Sequence, residues 1–591
     1  MDNTRRDTLV ALLLAAAVVG VEVALHDRIG RPLWYDELWR PHFAGEPWRT
    51  FWPELRSANT PSSLGSTALI RATGDVLGWH AWALRLVTAS VWLPVLAGGT
   101  YLFARRFTGI TAAVGAAVGV ALSGTVIDSG TQLKPYALEA VVSLAVLALW
   151  MTPGSASPAR ALGNRTAAGV LSLVSLPAIF LLVPLAALDL AQAAAGGGAA
   201  GGAQSRRRVA AVLRAAGRAM PALVLAGAHA AMFVAHQSSQ RASHFWDDQF
   251  LAGRGVAGGL RFTADQTRAI LGGTPPGIDR YDPNLVHSLL EGHRTLTTVV
   301  GTATAVAVLA GMRALARRRD GVALLAAVGG AEVVILVASG ARYWPFGGCR
   351  TNMFLVPLLA VVAATGAGEL VGLARAALRH RRAGTACGAG AVGSVGMLAA
   401  VGPVAVTLVA VSAVPVSAVG GVASLWRERH EVRPVEGMVA ATVAARGMYR
   451  AGDAVIVGGR LARAGWLYGM ELSDDAGGAR GPRIPRSATT FPPALGHGEA
   501  ERAVRTRPHR PRNVLLFVLA YDRRATTAEL AALRRGGWCE RGTAPSFALT
   551  GTLHHLADCP GTAASTGGTA PRAMSTTGTR RETNPLAKMR K

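Results

Sequence analysis

Predominantly apolar stretches of about 18 residues or more recur along the first 420 positions of the chain, and each is long enough for a helix to cross the hydrocarbon core of a bilayer. In lipid every backbone N–H and C=O must find its partner within the chain, so a helix is the element such a stretch has to adopt. Half of the 591 residues are hydrophobic and only 16% are charged, which excludes an ordinary water-soluble globule and predicts a polytopic membrane protein. The formal net charge of +26 would suit nucleic acid. Much of the arginine, however, falls in short clusters between apolar stretches, where it marks cytoplasmic loops, and no nucleic-acid partner is expected.

Arg5 and Arg6 precede a first span at about Thr8 to Leu25 and hold the N-terminus in the cytoplasm. No small-residue cleavage site follows that span, so it is kept as an anchor. Positions 26–79 then form a long external loop. Its Trp34, Trp39, Trp48 and Trp52 suit short helices lying among the headgroups. Spans follow at His80 to Ala104, Ile110 to Ile127, and a third ending near Met151, with Arg105, Arg106, Arg160 and Arg165 on the inner side. The stretch from Ala167 to Ala203 has to cross twice, because the cluster from Arg206 to Arg218 belongs inside. Pro177 and Pro184 supply break points for a hairpin of two thin or re-entrant helices. Spans at Met220 to Ala235, Leu296 to Leu315, Val322 to Ser339, Phe354 to Leu373 and Ala389 to Val419 bring the count to about eleven and deliver the C-terminus outside. The expected organisation is a transmembrane helical domain over 1–425 with external loops 26–79 and 237–292, a small extracytoplasmic α/β domain over 426–560, and a disordered basic tail over 561–591. In the α/β region the patterns predict a helix at Val435 to Arg446, strands at Ala454 to Val457, Val514 to Leu519 and near Ser546 to Leu553, and a helix at Thr527 to Arg534. Gly458-Gly459 lacks the second half of a dinucleotide motif. The four cysteines have no metal-ligand spacing, while Cys539 and Cys559 can pair if their region is extracytoplasmic.

The polar candidates collect on one face: Asp36 and Glu37 within Pro32-Leu33-Trp34-Tyr35-Asp36-Glu37-Leu38-Trp39, Lys134 and Tyr136, Asp247 and Asp248, Arg342 and Arg350. Carboxylates at the mouth of a span are costly unless they pair, bind or react. Facing fixed cations at an external surface, they suit transfer of a sugar from a polyprenyl phosphate. A carboxylate deprotonates an acceptor hydroxyl, and Lys or Arg holds the charge growing on the departing phosphate. Each also has a bland reading. Trp34 and Trp39 fit an aromatic belt, Lys134 and Arg350 fit snorkelling anchors, Tyr136 and Tyr343 fit interface aromatics, and Asp247-Asp248 fits a solvated loop. Glu332, within a span, points to a structural hydrogen bond. His26, His42, His80 and His244 lack ligand spacing.

These residues resemble the GT-C superfamily of polytopic glycosyltransferases, in the bacterial branch related to protein O-mannosyltransferases and lipid A aminoarabinose transferases. Leu33-Trp34-Tyr35-Asp36-Glu37 is similar to the family's first-loop aspartate-glutamate motif. Ala83-Leu84-Arg85-Leu86 sits where its second span starts, and Gln132-Leu133-Lys134-Pro135-Tyr136-Ala137-Leu138 resembles its Arg-Pro-Tyr-Ala-Leu segment. Tyr343-Trp344-Pro345-Phe346-Gly347-Gly348 with Arg350 resembles a late-loop segment. The resemblance implies an inverting glycosyltransferase that takes a monosaccharide from a polyprenyl-phosphate donor to the hydroxyl of a glycan, lipid or protein acceptor, on the extracytoplasmic face of the plasma membrane. It implies Asp36 as catalytic base or metal-associated carboxylate, with Glu37 supporting it, and Lys134 with Arg342 or Arg350 as donor-phosphate contacts. Tyr136 and Asn59 are further substrate contacts to test, and a divalent Mg or Mn on Asp36 and Glu37 stays open. Lys134 stands where the family usually has Arg, and Asn59-Thr60-Pro61-Ser62 replaces its His-Pro-Pro. A transporter or flippase of a lipid-linked sugar, or a catalytically silent relative serving as an interaction module, are the competing readings.

Overall fold

The computed structural model describes residues 3–57, 62–151, 157–195, 202–236, 246–273, 275–278, 294–384, 419–476, 482–520 and 523–560. It is mainly α-helical, a bundle of long apolar helices with a small α/β domain packed on one face. Helix α1 (Asn3–Ala24) leads to the short α2 (His26–Gly30), then α3 (Tyr35–Gly45), α4 (Trp48–Ser57) and α5 (Leu64–Leu77). Helix α6 (Ala81–Arg85) passes through one π-helical turn into α7 (Trp92–Ala104). Next come α8 (Ile110–Ala121), α9 (Gly124–Gly130), α10 (Tyr136–Trp150), α11 (Pro158–Ser172), α12 (Ile179–Ala195) and α13 (Gly202–His236). The bundle is completed by α14 (Gly255–Gly272), α15 (Arg294–Leu315), α16 (Arg319–Gly340) and α17 (Val356–Gly384).

Among the described residues, seven helical stretches are long and apolar enough to cross a membrane, or eight if α8 and α9, bent by 54° against each other, form one span. The chain is a multi-pass membrane protein. The expected count of about eleven is not decided by the described residues. Helices α10 and α11 have 15 residues each, short of the roughly 20 a full crossing needs. The expected span at Ala389 to Val419 lies outside the described residues, as do Asn59, His244 and the tail 561–591. In place of the hairpin expected between Ala167 and Ala203, α11 starts at Pro158 and carries Arg160 and Arg165, and a 3-10 turn at Leu176–Ala178 around Pro177 separates it from α12; Pro184 lies within α12. The arginines from Arg206 to Arg218, expected in a loop, lie on α13 itself.

The bundle has two distinguishable faces. On one, Arg105 pairs with Asp7 at 3.1 Å and Arg318 donates to the Phe107 carbonyl at 2.7 Å, so the ends of α1, α7 and α15 meet. The opposite face carries α2 to α5, α9, the 246–250 and 340–352 turns and the α/β domain. Helices α15 and α17 approach so closely that a Cβ on Gly311 or Gly366 would meet the other helix's backbone carbonyl within 2 Å, at 1.9 and 1.8 Å. Small residues at such a crossing let two backbones touch where lipid offers no hydrophobic drive for association.

The α/β domain contains α18 (Met438–Met448), α19 (Arg460–Leu467), α20 (Glu499–Arg505) and α21 (Arg523–Arg535) around one sheet. Its strands β1 (Ala454–Val457), β2 (Thr489–Thr490), β3 (Asn513–Leu519), β4 (Trp538–Glu540) and β6 (Gly551–Asp558) run in the order β2-β1-β3-β6-β4, and β5 (Ser546–Phe547) also pairs with β6. The β2, β1 and β3 pairings are parallel; those to β6 are antiparallel. The single strand expected near Ser546 to Leu553 is two, divided by a turn in which Leu549 takes a φ of 51°. The Cys539–Cys559 disulfide staples the end of β6 to β4. This domain grips the loop elements beneath it. Asp474 and Asp475 accept the Trp79 and Ala81 N–H groups at 2.6 and 2.8 Å, so they cap the start of α6. Tyr468 donates to the Trp79 carbonyl at 2.8 Å, and Arg486 meets Glu46 at 2.5 Å.

Candidate active site

Helix α3 begins at Tyr35, and its N-terminus decides where the two adjacent carboxylates go. Neighbours on a helix point about 100° apart, so Asp36 and Glu37 cannot face the same partner. Glu37 turns inward and is fully buried. Its Oε2 accepts the Trp34 N–H at 3.1 Å, which caps the helix from its third residue. Arg85 of α6 grips both oxygens, at 2.9 Å through Nε and 2.5 Å through Nη2, and the Leu133 N–H also donates to Glu37. Arg85 spends its remaining donors on the carbonyls of Arg28, Ile29, Arg31 and Pro32. Burial raises the Glu37 pKa, but Arg85 and the two backbone donors outweigh it and leave the carboxyl below its usual range. Glu37 therefore shapes the site without reaching into it: it ties α3, α6 and the Leu133 loop together.

Asp36 faces the other way. Its Oδ2 lies 3.1 Å from Lys134 Nζ and 3.0 Å from Arg350 Nη1, so two cations from distant parts of the chain converge on one oxygen. Burial pushes the Asp36 pKa up, yet the two cations more than reverse it and bring it down to about 2. Lys134 is 4% exposed, too buried for a snorkelling anchor. Its Nζ sits 4.9 Å from the Trp34 ring centre and 5.9 Å from that of Tyr136. Trp34 is thus a cation platform rather than a belt residue, for Arg433 lies 5.3 Å from the same ring. Trp39 is not in the belt either: it is buried against Phe43, Phe233 and Ala464. Trp48 alone of the loop tryptophans named is strongly exposed, at 63%.

Arg350 is aimed by the turn that precedes it. Asn352 donates to the Pro345 and Gly347 carbonyls at 3.1 and 2.8 Å and accepts from Trp344 Nε1 at 2.8 Å. Gly347 has a φ of 119° and a Cβ there would overlap the Gln266 side chain, so only glycine fits. The same turn carries Arg342 elsewhere. With a φ of 59°, it pairs with Asp247 at 3.6 Å, and no contact links it to Asp36. Of the expected phosphate contacts, Lys134 and Arg350 are brought to Asp36 and Arg342 is not.

Two features of the site escaped the sequence. Arg40, one turn after Asp36 on α3, is 5% exposed, donates to Ser62 Oγ at 3.3 Å and keeps its Nε without a partner. Burial lowers its pKa, while Tyr136, Glu139 and Asp36 favour its charged form. The i, i+4 spacing of Asp36 and Arg40 was the available signal. The second is a cluster behind Trp34, where Asp128 accepts from Arg28, from Arg433 Nη2 at 2.6 Å and from Gln132 at 2.8 Å. Asp128, immediately after the span expected to end at Ile127, lies on α9. Glu332, expected to hydrogen-bond, has one buried carboxylate oxygen without a partner. His42, read as bland, lies 3.6 Å from Glu46 and 3.4 Å from Glu54 in a buried network.

The adjacent carboxylates do not suit a divalent metal as arranged. Asp36 already answers two cations and Glu37 is saturated by Arg85 and backbone donors. Among the described residues no group of three His, Cys, Asp or Glu side chains converges as a metal site.

No family model matches the chain, and no curated protein matches it. Solved structures similar to it include that of ArnT from Cupriavidus metallidurans bound to undecaprenyl phosphate, 14% identical with a TM-score of 0.45, covering 93% of this chain and 98% of that one. The apo state of the same protein is 15% identical with a TM-score of 0.45, covering 92% and 97%. The archaeal oligosaccharyltransferase AglB from Archaeoglobus fulgidus, in complex with an inhibitory peptide and a dolichol-phosphate, is 13% identical with a TM-score of 0.44, covering 94% and 75%. At this level of likeness none of them bears on the chemistry of this chain.

Proposed function

We propose that the chain is a membrane glycosyltransferase that moves a monosaccharide from a polyprenyl-phosphate donor to an acceptor hydroxyl, with Asp36 as the base. The observation that carries this reading is one carboxylate oxygen shared by two nearly buried cations, Lys134 and Arg350, where long apolar helices end. Lys134 and Arg350 match the need of a phosphate held at the lipid boundary. The arginine-rich ends of the bundle lie on the opposite face, and by the positive-inside rule this supports an extracytoplasmic Asp36. The Cys539–Cys559 disulfide suits the same oxidising side.

In this reading Asp36 is restrained until the donor arrives. Held at a pKa of about 2, it is a poor base. A donor phosphate that takes over Lys134 and Arg350 removes the charges that hold the pKa down, and the carboxylate becomes more basic as the reactants assemble. Asp36 then takes the proton of the acceptor hydroxyl, whose oxygen forms the new bond at the anomeric carbon. The bond from that carbon to the phosphate oxygen breaks, and its electron pair leaves with the lipid phosphate, facing Lys134 and Arg350. Attack from the side opposite the phosphate inverts the anomeric centre. Glu37, Arg85 and the capping pair Asp474 and Asp475 position this machinery without touching the reactants.

Asp36→Asn is the test. Transfer is expected to vanish while undecaprenyl phosphate binds about tenfold more tightly, because two cations lose their competing carboxylate. Retained transfer in that variant, assayed with donor turnover verified in the wild type, overturns the assignment of the base. One observation favours translocation instead: Glu22 and Glu332, on membrane-length helices, each carry a buried carboxylate oxygen without a partner. Donor crossing liposome membranes without being consumed is the result that selects it.

A further inference from the structure

An open groove of about 840 Å³ lies next to the Asp36 segment rather than over it, between the end of α2, the linker 429–437 and the turn at 546–548. Its wall interleaves groups of both signs. Arg31 and Arg429 alternate with Asp27, Glu431 and Glu436, the imidazole of His430 joins them, and the ring of Phe547 supplies a flat apolar surface. Asp27 is shared, at 3.7 Å from Arg429 and 3.8 Å from His430. Arg31 is the informative member. Its side chain is only 10% exposed and its Nε reaches Glu436 at 3.6 Å, yet its Nη2 is buried with no hydrogen-bond partner. A buried guanidinium donor left unmet is costly, and here it belongs to a residue that lines an open groove.

The groove is also held in a strained shape beside the candidate active site. Val435, next to the lining residue Glu436, and Leu549, next to the lining residue Ala548, have φ of 65° and 51°, a conformation uncommon for any residue but glycine. The Val435 N–H donates to the Leu549 carbonyl at 3.0 Å, so the two strained residues fasten the walls to each other. Strain of this kind persists where the surroundings over-determine a shape and is concentrated at functional sites. The same linker touches the Asp36 segment directly: the Tyr35 N–H donates to the Pro434 carbonyl at 3.3 Å, and Arg433 stands over Trp34.

We propose that this groove is the docking cleft for a hydroxyl-rich carbohydrate acceptor, whose reactive end points toward Asp36. The proposal rests on the transfer reading above. Sugar hydroxyls donate and accept together, so one ligand meets the guanidinium, carboxylate and imidazole groups at once, and its apolar face lies on Phe547 in the usual manner of a concave site with a few placed polar groups. A polyanion would face Asp27, Glu431 and Glu436, and an acyl chain would leave them stripped of partners.

The test uses the full chain in lipid nanodiscs, with mannose and arabinose tetrasaccharides as probes read by saturation-transfer NMR, and undecaprenyl phosphate binding measured in parallel. At least one tetrasaccharide is expected to bind the wild type. Arg31→Gln is expected to weaken it tenfold or more. Ala548→Trp, made at an exposed position so that it fills the groove without disturbing the core, is expected to do the same. Undecaprenyl phosphate binding stays unchanged in both variants. Failure of both sugars to bind the wild type, or sugar binding that Ala548→Trp leaves within twofold, overturns the groove assignment and leaves the donor reading intact. Sugars that bind in a groove-dependent way to a chain that ignores undecaprenyl phosphate uphold the groove and remove the donor reading.

Discussion

Replacing Lys134 by Arg separates the two consequences of burying a lysine in the proposed phosphate site. Lys134 is 4% exposed. Burial lowers its pKa from 10.5 to about 8, with Asp36 pulling it back up and Arg350 pushing it further down. That difference, at about 1.4 kcal/mol per unit, corresponds to about 3 kcal/mol of preference for the neutral form in the folded chain. Because the folded pKa lies below the unfolded one, the unfolded chain holds the extra proton between about pH 8 and 10.5, and stability rises with pH across that window. Phosphate affinity moves the opposite way, since the neutral amine has no charge to offer. At pH 9 only about a tenth of Lys134 remains protonated. Undecaprenyl phosphate binding, followed through the tryptophan fluorescence of Trp34 in nanodiscs, is expected to be level up to about pH 8. Above that it falls by roughly tenfold per unit until Arg350 alone sustains it. The guanidinium of Lys134→Arg cannot lose its charge in this range, so that variant is expected to hold its affinity to pH 10. A wild-type affinity that is level from pH 7 to 10, or an arginine variant that declines in parallel, refutes Lys134 as the phosphate contact.

Arg85→Leu leaves Glu37 as an uncompensated buried charge and is expected to cost about 3–5 kcal/mol, read as a lowered melting temperature in detergent; Arg85→Leu with Glu37→Leu should cost less than the sum of the two single changes, and simple additivity would show that the pair is not coupled. Since the Glu37 pKa is depressed, its contribution is present above the ordinary carboxylate range and lost as pH falls below it, so Glu37→Gln should flatten the acid limb of stability. Glu529, fully buried, accepts the N–H groups of Gly496, Gly498, Glu499 and Ala500 at 2.7 to 3.1 Å; Glu529→Ala is expected to cost about 3 kcal/mol and to expose the α/β domain to limited proteolysis before the helical bundle. Replacing Cys539 and Cys559 by Ser opens a loop of sequence separation 20 and should lower unfolding stability of that domain by about 3 kcal/mol, with no change under reducing conditions that already break the bond.

What could be read from the sequence differs by region for physical reasons. Strand β1 matches its expected bounds, Ala454 to Val457, because all four residues are buried and a strand covered on both faces reads as a continuous apolar run. Strands β2 and β4, with two and three residues, carry too little pattern to be seen. The break between β5 and β6 was hidden because the turn places Leu549, not glycine, at positive φ. The bend between α8 and α9 was hidden too, since Leu122-Ser123 continues an apolar stretch and the break follows from packing around Gly124. In that packing a Cβ on Gly124 would lie 2.7 Å from Gly421.

By itself the sequence determined the long apolar helices, the arginine-rich ends that set one face against the other, and the order of the residues that resemble a transferase motif. These follow from local composition and spacing, which the bilayer reads directly. Only the tertiary structure decided which charge meets which. Asp36 and Glu37 are adjacent, equally acidic and on one helix, yet the first turns to Lys134 and Arg350 while the second disappears against Arg85. Arg85 lies 48 residues from Glu37, and Lys134 lies 98 residues from Asp36 with Arg350 farther still, beyond the reach of any local pattern. Pairing at that range is settled by how the helices pack.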